Sequence, residues 1–220
     1  MVDWEERAAR AQERFEDGAA RLPDDPDERQ RQLTRMGNAA WAVGLSLLML
    51  GRSDEARGWL VRAAETYRRS WPDAPPGSWG RPIGAMKSRL IAGDRIGAQE
   101  DARWALEAGA AESESPIGRY AAALACLVVE DDAAATELAS TLDDVDVIPP
   151  AVPGALAALA ARDADAFEHA IRALSADFEA RTEFLEDTPV ADTVLALQEL
   201  AKARGLAVPL ASPLLPASGV

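Results

Sequence analysis

Histidine, cysteine and lysine are scarce in this 220-residue chain. His169 is the only histidine, which excludes metal sites that need two imidazoles and the H-E-x-x-H motif. Cys126 is the only cysteine, which excludes an internal disulfide. Because it lies among Ala, Leu and Val, we expect a buried, unreactive thiol. His169 falls on a predicted helix, where we expect a structural role.

Catalytic motifs are also missing. There is no G-x-S-x-G elbow of a serine hydrolase. The stretch from Gly80 to Ser88 resembles a phosphate-binding loop, but only two residues separate Gly84 from Lys87, and Pro82 removes an amide donor. The acidic clusters at 24–28, 130–132 and 143–146 lack the spacing of a calcium loop. We therefore expect a protein that is not an enzyme, with no catalytic residue, no cofactor and no metal.

The net charge of −14 and the sequence pI of about 4.5 restrict the partners. Phosphate backbones and anionic lipid surfaces repel such a chain, so we expect neither general nucleic-acid binding nor membrane binding. The longest apolar run, 39–50, is too short to span a bilayer, and the acidic N-terminus lacks the apolar centre of a signal peptide. These features predict a cytoplasmic protein.

Only two lysines stand beside twenty-one arginines. High acidity with few lysines is typical of a salt-adapted, halophilic protein, because hydrated carboxylates maintain solubility in concentrated salt. A GC-rich genome would give the same arginine bias. A stability minimum at low salt supports the first hypothesis, and full folding in dilute buffer contradicts it.

The residues that are abundant favour helices. Alanine is common, aromatic residues make up 5%, and runs of β-branched residues are nearly absent. We predict an all-α fold of about ten helices without a sheet; only 145–148 is close to a strand pattern. The predicted helices are 3–21, 27–50, 54–70, 82–92, 95–108, 116–130, 132–142, 150–161, 164–182 and 189–204.

Capping signals set these boundaries. Polar residues that suit the N-cap position precede many of the predicted helices, in several cases with a proline next to them. These residues are Asp25, Ser53, Asp94, Ser115, Asp163 and Thr188. Glycines lie where helices should end, at Gly51, Gly93, Gly109 and Gly205.

Breaks near Gly51, Gly93, Asp131 and Asp163 recur at spacings of 42, 38 and 32 residues, which are typical of helical repeats. Around the first break, the chain resembles the tetratricopeptide repeat family in both residue type and spacing. The matching residues are Gly44, Leu47, Gly51, Ala56, Leu60 and Ala63. The resemblance implies antiparallel helical hairpins stacked into a superhelix, with protein binding as the function.

We predict a single domain over 1–220. An N-terminal helix (1–26) precedes three hairpins (27–142), followed by a C-terminal hairpin with a capping helix (150–208) and an extended tail (209–220). Whether the repeats form an open superhelix or a closed globule is open at this point, as is the oligomeric state.

The segment 155–216 resembles the closing part of the immunity protein 49 family. The resemblance lies in the runs 163–167 and 195–201, in Arg204-Gly205, and in 212–216. It implies neutralisation of a toxin by binding.

The loop 71–82 holds two of the six tryptophans, Trp71 and Trp79, and four of the fourteen prolines. So stiff and aromatic a loop either covers the end of the helical stack or binds a partner. We name Trp71, Trp79, Arg81, Lys87 and Arg89 as candidate partner-binding residues. The last three are cations that could instead hold an anion in an enzyme or a small-ligand binder.

Charge is distributed unevenly. Residues 51–110 carry ten Lys or Arg and eight Asp or Glu, whereas residues 111–200 carry four and nineteen. A solvated acidic surface explains this, and so does a surface that steers a basic protein partner. The candidate steering carboxylates are Asp163, Asp165, Glu168, Glu179 and Glu183. Exclusion of the other classes favours a non-catalytic protein–protein interaction module, with an immunity-type inhibitor as the alternative.

Overall fold

A computed structural model describes residues 2–142 and 147–217. Over these residues the chain forms ten α-helices and a single 3-10 turn at Leu185–Asp187, and it contains no strand. The helices are α1 (Trp4–Ala20), α2 (Pro26–Met49), α3 (Ser53–Arg69), α4 (Gly80–Ile91), α5 (Arg95–Glu107), α6 (Pro116–Val128), α7 (Asp132–Ser140), α8 (Ala151–Ala161), α9 (Ala164–Ala180) and α10 (Asp192–Arg204). The all-α prediction is confirmed, although part of the 145–148 stretch lies outside the described residues.

Aspartates fix several helix starts. Asp25, Asp94 and Asp163 each accept a hydrogen bond at 2.9–3.0 Å from the backbone N–H three residues on. Each bond satisfies an N–H that the helix itself leaves without a partner. Two predicted caps are wrong. Ser53 is already the first residue of α3, and α10 begins at Asp192 because the 3-10 turn holds Thr188 outside the helix.

Four chain turns after helices use a left-handed backbone that glycine adopts without strain. These glycines have φ between 70° and 87° and are Gly51, Gly93, Gly109 and Gly205. The corresponding turns after α6 and α8 place Glu130 (φ 64°) and Arg162 (φ 54°) in the same region. The glycine positions that we predicted as helix ends are confirmed, and two further turns tolerate a side chain there.

Each helix from α1 to α9 packs against the next one in the chain. The first helices of successive hairpins also contact one another, α4 with α6 and α6 with α8. One apolar core runs from Ala8 in α1 to Leu215 near the C-terminus. Stacking therefore buries the faces that a single hairpin would leave exposed.

The hairpin of α2 and α3 depends on a close approach at Gly44. A Cβ at this position would lie 2.6 Å from Leu60 Cγ and 3.3 Å from the carbonyl oxygen of Ala56. Leu60, Ala56 and Ala63 are fully buried in the seam. The sequence-based expectation that Gly44 lets the two helices approach closely is confirmed.

Helix α10 returns to the middle of the stack, where it packs against α4, α8 and α9. Its first turn is tied to α4, because Lys87 Nζ donates to Thr193 Oγ1 at 2.8 Å and forms an ion pair with Asp192. Its last turn is tied to α6, because Arg204 Nη2 donates to the carbonyl oxygen of Leu127 at 2.8 Å. The chain's own helix therefore covers the face formed by α4, α6 and α8.

Within the described ranges, no helix combines the length and the apolar character needed to cross a bilayer.

Candidate functional site

The tryptophans of the 71–82 loop pack inside the protein. The Trp71 ring centroid lies 5.5 Å from the centroids of both Trp79 and Trp104. Trp79 is 7% exposed and belongs to a small apolar cluster with Ile83 of α4. Trp71 is half-buried. The loop is thus anchored to its neighbouring helices. Of the two tryptophans named from the sequence, only Trp71 remains partly exposed to solvent.

The anchored loop holds Arg81 in a buried position. Arg81 is 8% exposed, and its Nη1 donates to the carbonyl oxygen of Ser70 at 2.6 Å. Its Nη2 donates to Gln30 Oε1, and Gln30 in turn donates to Asp27 Oδ1 at 3.0 Å. Burial lowers the pKa of Arg81 from its ordinary value. Both direct acceptors are uncharged, and within the described residues no carboxylate forms an ion pair with this guanidinium.

Lys87 and Arg89 have carboxylate partners instead. Lys87 pairs with Asp192 of α10. Arg89 Nη1 lies 2.6 Å from Asp94 Oδ2, and Arg89 Nε lies 3.4 Å from Asp101 Oδ2. Residues two apart on a helix do not share a face, which separates Lys87 from Arg89. The three cations named from the sequence therefore do not form one cluster.

Asp101 is the centre of a charged network between α3, α4 and α5 that the sequence did not reveal. Its side chain is 2% exposed and also binds Arg68 Nη1, at 3.0 Å. Burial raises the pKa of Asp101 although two guanidinium groups lie beside it. Burial acts on Asp94 in the same direction, but hydrogen bonds from the Gly97 N–H and from Arg89 outweigh it and lower the pKa of Asp94. This network links helices and pairs each of its arginines with a carboxylate.

Arg81 and Lys87 line one pocket of about 480 Å³ that opens to solvent, which we call the central cavity. Helices α2 and α4 form its walls, and Asp192 and the exposed Leu185 lie at its C-terminal side. The lining combines apolar and polar side chains: Trp41, Tyr67, Ile83 and Leu185 with Thr34, Asn38, Ser78, Arg81, Lys87 and Asp192. Apolar walls with a few convergent polar groups are typical of small-molecule sites.

Tyr67 is fixed in the wall of this cavity from two sides. A Cβ at Gly37 of α2 would lie 2.7 Å from the Tyr67 ring, and one at Gly84 of α4 would lie 2.8 Å from it. The Tyr67 hydroxyl donates to Asn38 Oδ1 at 2.8 Å. Burial, together with the nearby Asp192, raises the pKa of Tyr67 well above its ordinary value, so the phenol stays neutral. Gly37 and Gly84 thus leave the space that the Tyr67 ring occupies between α2 and α4.

A second candidate surface lies on the outside of the molecule. The five carboxylates named from the sequence fall on α9, at its N-cap, or just beyond its C-terminal end, and all of them are exposed. We call them the acidic face: Asp163, Asp165, Glu168, Glu179 and Glu183. Within the described residues, Glu168 has an arginine partner, Arg172 at 2.8 Å, and the other four form no ion pair. Apart from Glu168, which pairs with Arg172, and Asp163, which caps α9, the acidic face therefore presents charge that the described fold does not neutralise.

The remaining candidates for chemistry have structural explanations. Cys126 is buried, and burial raises the pKa of its thiol to about 11, so it is protonated at neutral pH. His169 is exposed on α9. In the part of the chain that the structure describes, no group of three His, Cys, Asp or Glu side chains is placed to hold a metal ion. The acidic cluster 143–146 lies outside the described residues.

Comparisons with protein-family models, with curated proteins and with solved structures find no match to this chain. The resemblances to the tetratricopeptide repeat and immunity protein 49 families remain predictions from the residues quoted above.

Proposed function

We propose that this protein is a non-catalytic interaction module that binds a basic protein through the acidic face. The observation that carries the proposal is the set of five exposed carboxylates on α9 and just beyond its two ends, four of them without an ion pair in the described structure. Charges held on a rigid element steer a partner of opposite sign and raise its association rate. A scaffold or adaptor role follows from binding without catalysis.

The position of α10 favours an outer surface over a groove. In an open helical superhelix, the inner face is available to an extended peptide or a helix. Here α10 already covers α4, α6 and α8, with eight of its thirteen residues buried. Its removal would expose several apolar side chains at once, including Val194, Leu197 and Leu200. A partner that binds the intact protein therefore has to approach from outside.

The test compares partner capture by the wild type with capture by a variant in which the five carboxylates become Asn or Gln. The change Asp163→Asn retains the α9 cap, because asparagine caps as well as aspartate does. The wild type, immobilised at native salt, should retain a basic protein from an extract of the source organism, identified by mass spectrometry. With the purified partner, stopped-flow mixing should show an association rate that falls with salt and drops at least tenfold in the variant at low salt.

A matched control changes five exposed carboxylates elsewhere to amides: Glu13, Asp24, Asp73, Glu100 and Glu107. Its net charge equals that of the acidic-face variant, so general electrostatics are constant. An equal loss of rate in both variants, or an acidic partner, would contradict the proposal.

Neutralisation of a toxin is the second candidate function. The acidic face lies within 155–216, the segment that resembles the immunity protein 49 family, and a cationic toxin fits its charge. Such a gene is expected beside that of its toxin. Co-expression with the neighbouring gene product should restore growth of a sensitive host, and the acidic-face variant should not. A neighbouring gene whose product is harmless would exclude this candidate.

A further inference from the structure

We infer that the central cavity binds a small organic carboxylate with an apolar body, and that Arg81 provides the cation that holds it. The inference concerns a different surface from the acidic face and does not depend on protein binding there.

The first step is the missing countercharge of Arg81. A buried charge is costly unless an opposite charge or several hydrogen bonds compensate for it. Lys87 has Asp192, and Arg89 has Asp94 and Asp101. Arg81 is as buried as these cations, yet its described acceptors are the neutral oxygens of Ser70 and Gln30. A bound anion would complete its pairing.

The second step is the supply of donors. A guanidinium carries five N–H groups in a rigid plane, and the described residues accept from two of them. The bonds to Ser70 and Gln30 fix the plane of the group, and Arg81 is one of the residues that line the cavity. A prepositioned planar fork suits the two oxygens of a carboxylate.

The third step is the character of the remaining walls. The rings of Trp41 and Tyr67, with Ile83 and Leu185, give the cavity a mainly apolar surface. A hydrated inorganic anion gains nothing from such walls, whereas an aromatic or aliphatic group does. The volume of about 480 Å³ lies in the usual range for small-molecule sites.

Asp192 limits the affinity in this geometry. Its carboxylate lines the same cavity and neutralises Lys87, so it repels an incoming anion and withholds a second cation. Removal of this one charge should therefore tighten binding, whereas a change at Arg81 should weaken it. Opposite effects at two lining residues distinguish a site in this cavity from general attraction to the protein.

The experiment measures binding of phenylacetate and hexanoate to the full chain by isothermal titration calorimetry at low salt. Phenylacetamide serves as the uncharged match, and inorganic phosphate as an anion without an apolar body. We expect at least one of the two carboxylates to bind, phenylacetamide to bind at least tenfold more weakly than phenylacetate, and phosphate not to bind.

Variants then locate the site. Arg81→Gln should weaken carboxylate binding at least tenfold, Arg81→Lys should weaken it less, and Asp192→Asn should strengthen it several-fold. Arg95→Gln, which removes an exposed arginine outside the cavity, is the matched control and should leave affinity unchanged. If Arg81→Gln does not fold, Leu185→Trp tests the same cavity, because a larger ring at its edge should block the ligand.

Absence of binding by both carboxylates overturns the inference, as does equal affinity for phenylacetate and its amide. A loss at Arg95→Gln equal to that at Arg81→Gln, or unchanged affinity in Leu185→Trp, places the ligand elsewhere. The acidic-face variant should bind the carboxylates at least as well as the wild type, which separates this test from that of the proposed function.

Discussion

Between residues 51 and 110, a buried charged network links α3, α4 and α5, whereas most of the described carboxylates between 111 and 200 are exposed. In the first segment, Asp101 is almost fully buried between Arg68 and Arg89. In the second, the acidic face is exposed along α9. The first segment thus uses charge to fix the packing of its helices. The second leaves most of its described carboxylates exposed to solvent, where a partner can reach them.

The sharpest test of this comparison replaces one carboxylate in each segment. Asp101→Ala leaves Arg89 with one carboxylate fewer in a buried site, and we expect it to lower the free energy of unfolding by about 3 kcal/mol. Glu179→Ala on the acidic face should change it by no more than about 0.5 kcal/mol. Urea unfolding measures both. Similar losses in the two variants would contradict the distinction between linking and surface charge.

Close helix packing in the first segment gives a prediction with two signs. Gly84→Ala should lower the free energy of unfolding by about 1–3 kcal/mol, because the new methyl group meets the Tyr67 ring, which Gly37 confines from the other side. At Gly58 on α3, no atom of the described residues beyond the adjacent residues and the helix's own backbone lies within 4 Å of an added Cβ, so Gly58→Ala should raise it by about 0.5–1 kcal/mol through helix propensity. Thermal unfolding followed by circular dichroism compares the two. Stabilisation by both substitutions would show that the ring can move aside.

The smallest expected effect concerns acid stability. The pKa of Asp94 is below its ordinary value in the folded protein, so its carboxylate stabilises the fold above that ordinary value. This contribution is lost as the pH falls through the folded-state pKa. Asp94→Asn retains the α5 cap and removes the charge, so the variant should lose less stability than the wild type on acidification below about pH 4. Parallel pH profiles of the two proteins would exclude a role for Asp94.

Local signals in the sequence predicted most of the helices. Alanine content, aspartate caps and terminal glycines act within a few residues of each boundary, so each of the ten predicted helices has a counterpart with ends within three residues. The 3-10 turn at Leu185–Asp187 was missed, because Glu186 and Asp187 adopt a left-handed backbone without the glycine that would signal it. Helix α10 therefore begins at Asp192, three residues after the predicted start at 189.

The sequence predicted some of the residues of the candidate site, but not how their side chains are arranged. The sequence identified Arg81, Lys87 and Arg89 as cations beside an aromatic loop. It contained no signal that Lys87 would form an ion pair with Asp192, more than 100 positions away, or that Arg89 would pair with Asp101. Long-range packing decides which cation remains without a carboxylate. Local patterns do not encode that choice.

The return of α10 to α4 has a consequence for how the protein unfolds. A linear repeat array can lose its end units one at a time, because each unit contacts only its neighbours. Here the bond between Lys87 and Thr193 joins parts of the chain that are 106 positions apart, and α10 touches both the second and the fourth hairpin. The second and fourth hairpins cannot separate from each other without disturbing this helix. We therefore expect a single cooperative unfolding transition, and little tolerance for the gain or loss of a hairpin during evolution.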